Sequence, residues 1–193
     1  GKMREKSPEK LYCILKLYHL NLSKRMQQMP EKYRRYFLKD KEAKLLLNKI
    51  SERVKVNLGQ ILSSKVKVEI VETEFAEIYL FNGKPILAKA EEKIFPTLVF
   101  NEFLNSAAKV VVDMGAVPYI CNGADIMAPG IVRFEGKFGR DDFVLVVDEK
   151  YGKPLAVGEA LLDIEKAEKA KQGVVVKNVH FTGDKVWNFI KKL

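Results

Sequence analysis

The glycines of one stretch, VVVDMGAVPYICNGADIMAPGI at residues 110–131, are the first residues in this sequence that suggest a binding site. Gly115, Gly123 and Gly130 interrupt an apolar run, so the backbone here can adopt conformations that other residues rarely reach. Such glycines could let a ligand approach the main chain closely, or they could form turns that join short strands. The stretch alone leaves both interpretations open.

Groups that could catalyse a reaction are few. The two histidines, His19 and His180, lie on segments predicted as strands, where a single histidine more often has a structural role. Asp113 and Asp125 lie beside the glycines, but Asp before Gly is typical of turns, and Asp125 is placed to cap a local helix. The sequence matches none of the common hydrolase, metalloprotease or nucleotide-binding motifs. We therefore expect no catalytic residues and no enzyme activity.

Metal ligands are equally scarce. Cys13 and Cys121 lie far apart, and neither belongs to a C-x-x-C motif. The sequence therefore indicates neither a zinc site nor a disulfide. The acidic pairs at residues 141–142 and 148–149 flank a valine-rich segment and are typical of turns at strand ends. We expect no metal site and no cofactor.

Basic and aromatic residues are interleaved in residues 24–41, KRMQQMPEKYRRYFLKDK. Lysine and arginine bind phosphates and aromatic rings stack on bases, so this mixture suits a nucleic acid. The alternative is a solvated basic helix whose aromatic residues face the core. We favour a core-facing position for Tyr36 and Phe37, whereas for the basic cluster both interpretations stay open. The cluster comprises Lys24, Arg25, Lys32, Arg34, Arg35, Lys39 and Lys41, together with Tyr33.

The net charge of +9 is concentrated in the first third of the 193 residues. Residues 1–58 hold 16 Lys or Arg against 6 Asp or Glu, a surplus of +10 that the remaining residues do not increase. A surplus this concentrated indicates a polyanionic partner. The apolar runs are far shorter than the roughly 20 residues that span a bilayer. We expect no membrane partner and a cytoplasmic location.

The region before the glycine stretch is predicted to be α+β, with helices on a small antiparallel sheet. Residues 11–20 favour a strand, and Ser23 can begin a helix that ends or kinks at Pro30. That helix is expected to resume in residues 31–40. Apolar residues at helical spacing predict a further helix over residues 39–53.

The sheet itself is predicted from residues 65–95. They contain two β-rich runs around Asn82-Gly83, which is a strong hairpin signal. A short helix is expected within residues 96–109, with Pro96 near its start.

The remaining residues are predicted to form a compact all-β barrel or sandwich of five or six strands. Short valine-rich segments recur from Lys109 onward, separated by Gly, Pro or Asp turns. One short helix interrupts this pattern, DIEKAEKA at residues 163–170.

Four ordered motifs in residues 105–189 resemble the PUA domain, named for pseudouridine synthase and archaeosine transglycosylase. They are DMGA from Asp113, NGADIMAPG from Asn122, PLAVG from Pro154 and HFTGDKVW from His180. The resemblance implies a six-stranded PUA-type pseudobarrel whose usual role is RNA binding without catalysis. It divides the chain into a basic α+β domain of residues 1–104, beginning with a disordered tail or tag remnant, and a PUA domain of residues 105–193.

The first half is similar to the pre-PUA domain of the malignant T-cell amplified sequence proteins and their archaeal relatives. The similarity rests on HLNLSK at residues 19–24, the hairpin at 82–83 and FPT at 95–97. Members of that family are associated with the small ribosomal subunit in translation initiation, reinitiation and recycling. The resemblance implies rRNA or tRNA and the small ribosomal subunit as partners, and allows a separate translation-factor chain resembling density-regulated protein.

Two other functions stay open. PUA domains commonly deliver RNA-modifying enzymes to their substrates, so the chain could be an accessory or targeting subunit for a pseudouridine synthase or tRNA transglycosylase. A self-contained enzyme ranks lower, because no catalytic aspartate motif of the synthases is visible.

The resemblance also selects residues expected to contact RNA. PUA domains meet RNA along the glycine-containing loop and helix between the first two strands, and along the last strand. Basic residues on the same side could contact phosphates. We expect Ile120, Ile126, Met127 and Trp187 to pack in the core instead. The RNA-contact candidates are Gly115, Ala116, Val117, Asn122, Gly123, Lys109, Arg133, Lys153, His180, Phe181, Lys24, Arg25, Arg34 and Arg35.

Overall fold

The computed structural model describes residues 32–56 and 65–193, and the strands in these ranges form two sheets. In the first sheet, the described strands are all antiparallel and lie in chain order, with β1 at one edge. They are β1 Arg34–Phe37, β2 Val68–Glu72, β3 Glu77–Phe81, β4 Lys84–Ala90 and β5 Lys93–Pro96. The antiparallel sheet predicted for this region is confirmed.

The turn between β3 and β4 is the predicted Asn82-Gly83 hairpin. Both residues have positive φ, +50° for Asn82 and +82° for Gly83. This combination matches the twist of the flanking strands, and Asn and Gly tolerate it best. The Asn82 side-chain oxygen also accepts a hydrogen bond from the Lys67 amide at 3.0 Å, which ties the turn to the chain entering β2.

Helix α1, Asp40–Val54, covers one face of the first sheet and confirms the helix predicted over residues 39–53. Ala43, Leu47, Ile50 and Val54 are buried at helical spacing, so the apolar stripe faces the core. The helix begins where the Glu42 carboxylate accepts a hydrogen bond from the Lys39 amide at 3.2 Å.

Strand β1 replaces part of a predicted helix. The helix expected through residues 31–40 is wrong, because Arg34–Phe37 pairs with β2 as an edge strand. Each face of the strand then carries one arginine and one aromatic side chain, and cross-strand pairing outweighs local helix propensity. Tyr36 and Phe37 are exposed rather than core-facing, which corrects that expectation. The strand predicted at 11–20 and the helix start at Ser23 lie outside the described residues.

The second sheet is a curled mixed sheet within residues 109–181. In this continuously described stretch its six strands lie in the order β7-β11-β10-β9-β6-β8, and only β6 and β9 pair in parallel. They are β6 Lys109–Val112, β7 Ile126–Met127, β8 Ile131–Glu135, β9 Phe143–Asp148, β10 Pro154–Ala160 and β11 Val174–Phe181. The predicted six-stranded pseudobarrel is confirmed.

Short helices join and flank the strands of residues 96–193. They are α2 Asn101–Ser106, α3 Val117–Ile120, α4 Ile164–Lys169 and α5 Lys185–Ile190. Helix α4 confirms the helix predicted at 163–170. Helix α2 begins later than predicted, because Pro96 ends β5 instead of opening the helix. Helix α5 was not predicted, although Asp184 caps it by accepting a hydrogen bond from the Trp187 amide at 2.7 Å.

Strands β6 and β9 are buried on both faces. Val110 and Val112, with Val144 and Val146, belong to the apolar core inside the barrel. The intervening Val111, with Leu145 and Val147, joins the core shared with the first sheet. Helix α5 adds Val186, Phe189 and Ile190 to that shared core, and Trp187 packs against it as expected. Two-sided burial explains why, apart from Lys109 and Asp148 at their ends, both strands are apolar rather than alternating.

Charged contacts cross between the two sheets around Glu159 on β10. Its carboxylate lies 3.0 Å from the Arg53 guanidinium at the end of α1 and 2.6 Å from the Lys93 ammonium on β5. Arg53 also donates to the Asp141 carbonyl at 2.9 Å and lies over the Phe143 ring. Glu159 is buried while Arg53 and Lys93 are partly exposed, and these contacts link α1 and β5 of the first sheet to β10 of the second.

Gly158, in the PLAVG motif of β10, offers a test of how closely β10 packs against β11. A Cβ atom there would clash with Cγ1 of the buried Val176, so we expect Gly158→Ala to lower the free energy of unfolding by about 2 kcal/mol through overpacking. Gly139→Ala is the matched control, because its Cβ would meet only ordinary contacts of 3.7 Å and beyond. Urea unfolding of both variants measures the difference, and equal stability would contradict the close approach of β10 to β11.

Candidate nucleic-acid interface

Three connections of the barrel lie at one end. Strands β6 and β9 run parallel with Val112 opposite Asp148, so the loop after β6 and the turn after β9 emerge side by side. Ala156, near the start of β10, is opposite Phe181 at the end of β11. The glycine loop, the β9–β10 turn and the end of β11 therefore share one end of the barrel.

A groove of about 500 Å³ opens beside the glycine loop. Small residues form much of its wall, Ile120 and Ile126 form a buried apolar floor, and the exposed ring of Tyr119 stands at its margin. A groove of this size with an apolar lining suits a flat organic group such as a base or ribose. The residues that line it are Asp113, Gly115, Ala116, Tyr119, Ile120, Ala124, Asp125, Ile126, Met127, Pro129 and Gly130.

Internal hydrogen bonds set the shape of the glycine loop. The Asp113 carboxylate accepts a bond from the Ala116 amide at 2.8 Å, and the Asp113 amide donates to the Gly130 carbonyl at 3.0 Å. A Cβ atom at Gly115 would lie 3.1 Å from this Asp113 carboxylate oxygen. Gly115 therefore leaves room for the Asp113 carboxylate, and Asp113 has the turn role expected for it.

The second half of the loop is held against β11 by Asn178. Its side-chain amide donates to the Ile120 and Ala124 carbonyls at 3.0 and 2.9 Å, and its backbone amide donates to the Asp125 carboxylate at 2.8 Å. Asp125 thus binds β11 instead of capping a helix. Sequence reasoning missed Asn178, because its polar side chain in a valine-rich strand was not recognised as a signal of a buried loop contact.

Gly123 lies against Phe181 at the centre of this end. Its φ is +95°, and a Cβ atom there would lie 3.1 Å from the Phe181 ring. The two candidates from the loop and the last strand are therefore brought together. Asn122, beside Gly123, is exposed.

Two of the predicted contact residues are buried. His180 is completely buried, its Nδ1 lies 2.7 Å from the Asp184 carboxylate, and its ring lies near that of Phe95. Val117 is buried in the barrel core. Both residues support the neighbouring loop and strand from within, so the structure does not place them where RNA could reach them. The core position predicted for Met127 is also wrong, because this residue is exposed at the groove.

The phosphate candidates are not all on one side. Lys153 lies in the β9–β10 turn, at the same end as the glycine loop. Lys109 begins β6, about 10 Å of strand away from Val112, so it lies toward the other end of the barrel. Arg133 on β8 forms an ion pair with Glu135 at 2.8 Å. Of these three, the structure groups only Lys153 with the glycine loop.

Arg34 and Arg35 lie on the edge strand of the first sheet and are paired with acids of β2. Arg34 contacts both carboxylate oxygens of Glu72 at 2.9 to 3.0 Å, and Arg35 does the same with Glu69 at 2.8 to 2.9 Å. The hydrogen bond from Arg35 lowers the pKa of Glu69 below its ordinary value, and the same bond raises the pKa of Arg35. Lys24 and Arg25 lie outside the described residues.

Two exposed tyrosines near the glycine loop were missing from the sequence-based site. Tyr119 on α3 is 69% exposed, and Tyr151 in the β9–β10 turn is 51% exposed. The available signal was an aromatic residue in a Gly/Pro-rich connection, outside any apolar pattern. Such residues have no core position to fill and are suited to stacking on a ligand.

The ranges that the structure describes hold neither a metal cluster nor a membrane span. In residues 32–56 and 65–193, no group of three or more His, Cys, Asp or Glu side chains is arranged to hold a metal ion. None of the helices in these ranges is long and apolar enough to cross a membrane.

Comparisons with known proteins identify the domains. The PUA domain matches residues 108–182, and a domain of unknown function (DUF1947) matches residues 34–101. Among solved structures, a PUA-domain protein from Aeropyrum pernix K1 superposes with a TM-score of 0.71 at 28% identity, covering 83% of this chain and 92% of that one. A protein from Pyrococcus horikoshii OT3 gives 0.68 at 35% identity, covering 81% and 99%. The chain is thus a PUA-domain protein.

Sequence relatives identify the family within the class of PUA-domain proteins. A Methanocaldococcus jannaschii protein is 41% identical over 160 residues, covering 81% of this chain and 96% of its own length. Malignant T-cell-amplified sequence 1 from Rattus norvegicus is 30% identical over 137 residues, covering 68% and 75%. Translation machinery-associated protein 20 from Schizosaccharomyces pombe is 30% identical over 145 residues, covering 69% and 80%. The chain belongs to the family of these proteins and their archaeal PUA relatives, which confirms the resemblance.

The contact between Gly123 and Phe181 can be tested with paired glycine variants. Gly123→Ala and Gly83→Ala both place a side chain at positive φ, which costs about 1 kcal/mol in backbone strain. Only the first also pushes on a ring, because nothing lies within 4 Å of the Cβ position at Gly83. NMR should show the Phe181 ring resonances shifting in Gly123→Ala alone. Unshifted resonances would contradict the packing of this loop on β11.

Proposed function

We propose that this protein binds structured RNA in translation, through the end of the barrel that carries the glycine loop. The observation that carries the proposal is the groove beside that loop, with an apolar floor, small-residue walls and the exposed Tyr119 ring. A base can enter the groove or stack on Tyr119 while its ribose lies against the backbone near Gly115. The PUA domain match and the name of translation machinery-associated protein 20 support this role.

The carboxylates of the site are engaged in shaping its loops. Asp113 and Asp125 line the groove, and each accepts a backbone amide hydrogen bond. Asp184 accepts bonds from the Phe181 and Trp187 amides and contacts His180. These roles favour recognition of a ligand by shape and stacking over proton transfer to it. Binding without catalysis is therefore the function that the groove supports best.

The RNA proposed is rRNA of the small ribosomal subunit, tRNA, or both, during initiation, reinitiation or recycling in the cytoplasm. The support is the family, whose members include proteins named for the translation machinery. A separate translation-factor chain resembling density-regulated protein is a further proposed partner. The phosphate contacts of the barrel end are assigned to Lys153, and those of the N-terminal region to Lys24 and Arg25.

Crosslinking and purification of the full chain from its native cells test the proposed partner. We expect small-subunit rRNA or tRNA to be recovered. The binding constant measured in vitro should fall with salt, with a logarithmic slope of about −0.7 for each phosphate contacted in a single strand. Recovery of a pseudouridine synthase or tRNA transglycosylase instead of ribosomal subunits would favour an accessory role in RNA modification. Recovery of neither RNA, with salt-independent behaviour, would refute RNA binding.

The Tyr119 ring provides a direct test of the groove. Tyr119→Ala should weaken RNA binding about tenfold, because stacking of a base on an aromatic ring contributes about 1–3 kcal/mol. Since Tyr119 is 69% exposed, its removal should leave the melting temperature almost unchanged. Phe37→Ala, at the similarly exposed Phe37 of β1, is the matched control and should bind as the wild type does. Fluorescence anisotropy with labelled RNA measures both, and equal affinities of all three proteins would exclude Tyr119 from the interface.

A further inference from the structure

The β9–β10 turn presents an aromatic ring between two lysines. The Lys150 and Lys153 ammonium groups lie 5.2 and 5.7 Å from the centre of the exposed Tyr151 ring. Neither lysine forms an ion pair with any residue in the described ranges. They differ in this from Arg34 and Arg35, which are neutralised by acids of β2. The turn therefore places two positive charges, neither of them paired with an acid of the described residues, over an exposed aromatic ring.

The turn is held in one shape by a single buried residue. The Asp148 carboxylate accepts hydrogen bonds from the amides of Lys150, Tyr151 and Lys153 at 3.0, 2.6 and 2.9 Å. The Asp148 backbone adds bonds with Lys153 and Gly152. The Tyr151 ring takes no part in these bonds, so a ligand could stack on it without disturbing the turn. Binding would cost little ordering entropy, because the backbone is already fixed.

The turn is also attached to the glycine loop. The Glu149 carboxylate accepts a bond from the Met114 amide at 3.3 Å, and the Glu149 amide donates to the Val112 carbonyl at 2.9 Å. Met114 directly precedes Gly115 in that loop. An RNA strand that leaves the groove over Gly115 therefore meets the turn next.

The groove by itself does not supply charge for a phosphate. Its lining contains the carboxylates of Asp113 and Asp125 and no lysine or arginine. A base or ribose can occupy such a lining, but the phosphates on either side need positive charge outside it. The lysines of the neighbouring turn meet that need.

We propose that the β9–β10 turn is a second RNA contact, in which Tyr151 stacks on an unpaired nucleotide and Lys150 and Lys153 bind its flanking phosphates. This inference rests on the proposed function, and it narrows the RNA to one with unpaired nucleotides next to the element held at the groove. Phosphate binding at two lysines and stacking at one ring are the combination found at single-strand sites.

The test compares two probes and a matched set of variants of the full chain. The probes are a short RNA hairpin that ends in an unpaired single strand and the same hairpin with a blunt end. The stacking variants are Tyr151→Ala and Tyr151→Phe. The charge variant is Lys150→Ala with Lys153→Ala, and its control is Lys137→Ala, at an exposed lysine between β8 and β9, near the end of the barrel where Lys109 begins β6.

We expect Tyr151→Ala to bind the hairpin with the single strand about tenfold more weakly and the blunt hairpin as before. Tyr151→Phe should keep the wild-type affinity, because the ring and not the hydroxyl stacks. The double lysine variant should flatten the logarithmic salt slope by about 1.4, or 0.7 for each lysine, while Lys137→Ala leaves it unchanged. A 2-aminopurine base in the single strand should be quenched by the wild type and not by Tyr151→Ala.

The outcomes separate this inference from the proposed function. If Tyr119→Ala weakens binding but Tyr151→Ala does not, the groove binds RNA and the turn does not, which overturns the inference alone. An equal loss on both hairpins in Tyr151→Ala also overturns it, because the effect then does not depend on an unpaired nucleotide. If the lysine variant binds RNA normally but loses a co-purifying protein, the turn is a protein contact. A wild type that binds neither hairpin overturns both proposals.

Discussion

Strands β6 and β9 are buried on both faces, and the other elements are arranged around this pair. Their parallel pairing puts Val110 and Val144 inside the barrel and Val111 and Leu145 against the first sheet. Apolar area removed from water on both sides stabilises this pair more than any single contact can. Because both strands end at the same height, the glycine loop and the β9–β10 turn are presented together from a rigid base.

The polar residues at this end of the barrel organise the backbone. Asp113 shapes the glycine loop, Asp148 shapes the β9–β10 turn, and Asn178 holds the loop to β11. Each is bound to backbone groups of the connection that it shapes, and leaving such groups unpaired is costly in a partly buried site. The surface left for a ligand consists mainly of exposed rings, small side chains and lysines. The proposed recognition of RNA by stacking and charge rests on that division.

Charge counted along a sequence differs from charge available to a partner. The surplus of positive charge in residues 1–58 predicted a polyanion-binding surface in the N-terminal third. In the structure, however, Arg34, Arg35 and Arg53 pair with Glu72, Glu69 and Glu159. These acids are distant in sequence and become neighbours only through strand pairing and the contact between the sheets. The lysines of the β9–β10 turn stood out less in the sequence, because local acids balance them in the count. In the structure the nearby Asp148 and Glu149 are engaged by backbone amides, and the lysines keep their charge exposed.

The amino-acid sequence was enough to predict most of the order of elements, including the hairpin, helix α1 and the barrel. It was also enough to predict the family. These features depend on local periodicity, turn chemistry and ordered motifs. The glycine loop was likewise recognisable as the candidate site. Three-dimensional contacts were needed to establish that Arg34–Phe37 is an edge strand, that His180 is buried and Met127 exposed, and that the turn carrying Tyr151 lies beside the loop. Those outcomes depend on which strands pair and which faces meet, and such long-range contacts leave no local pattern in the sequence.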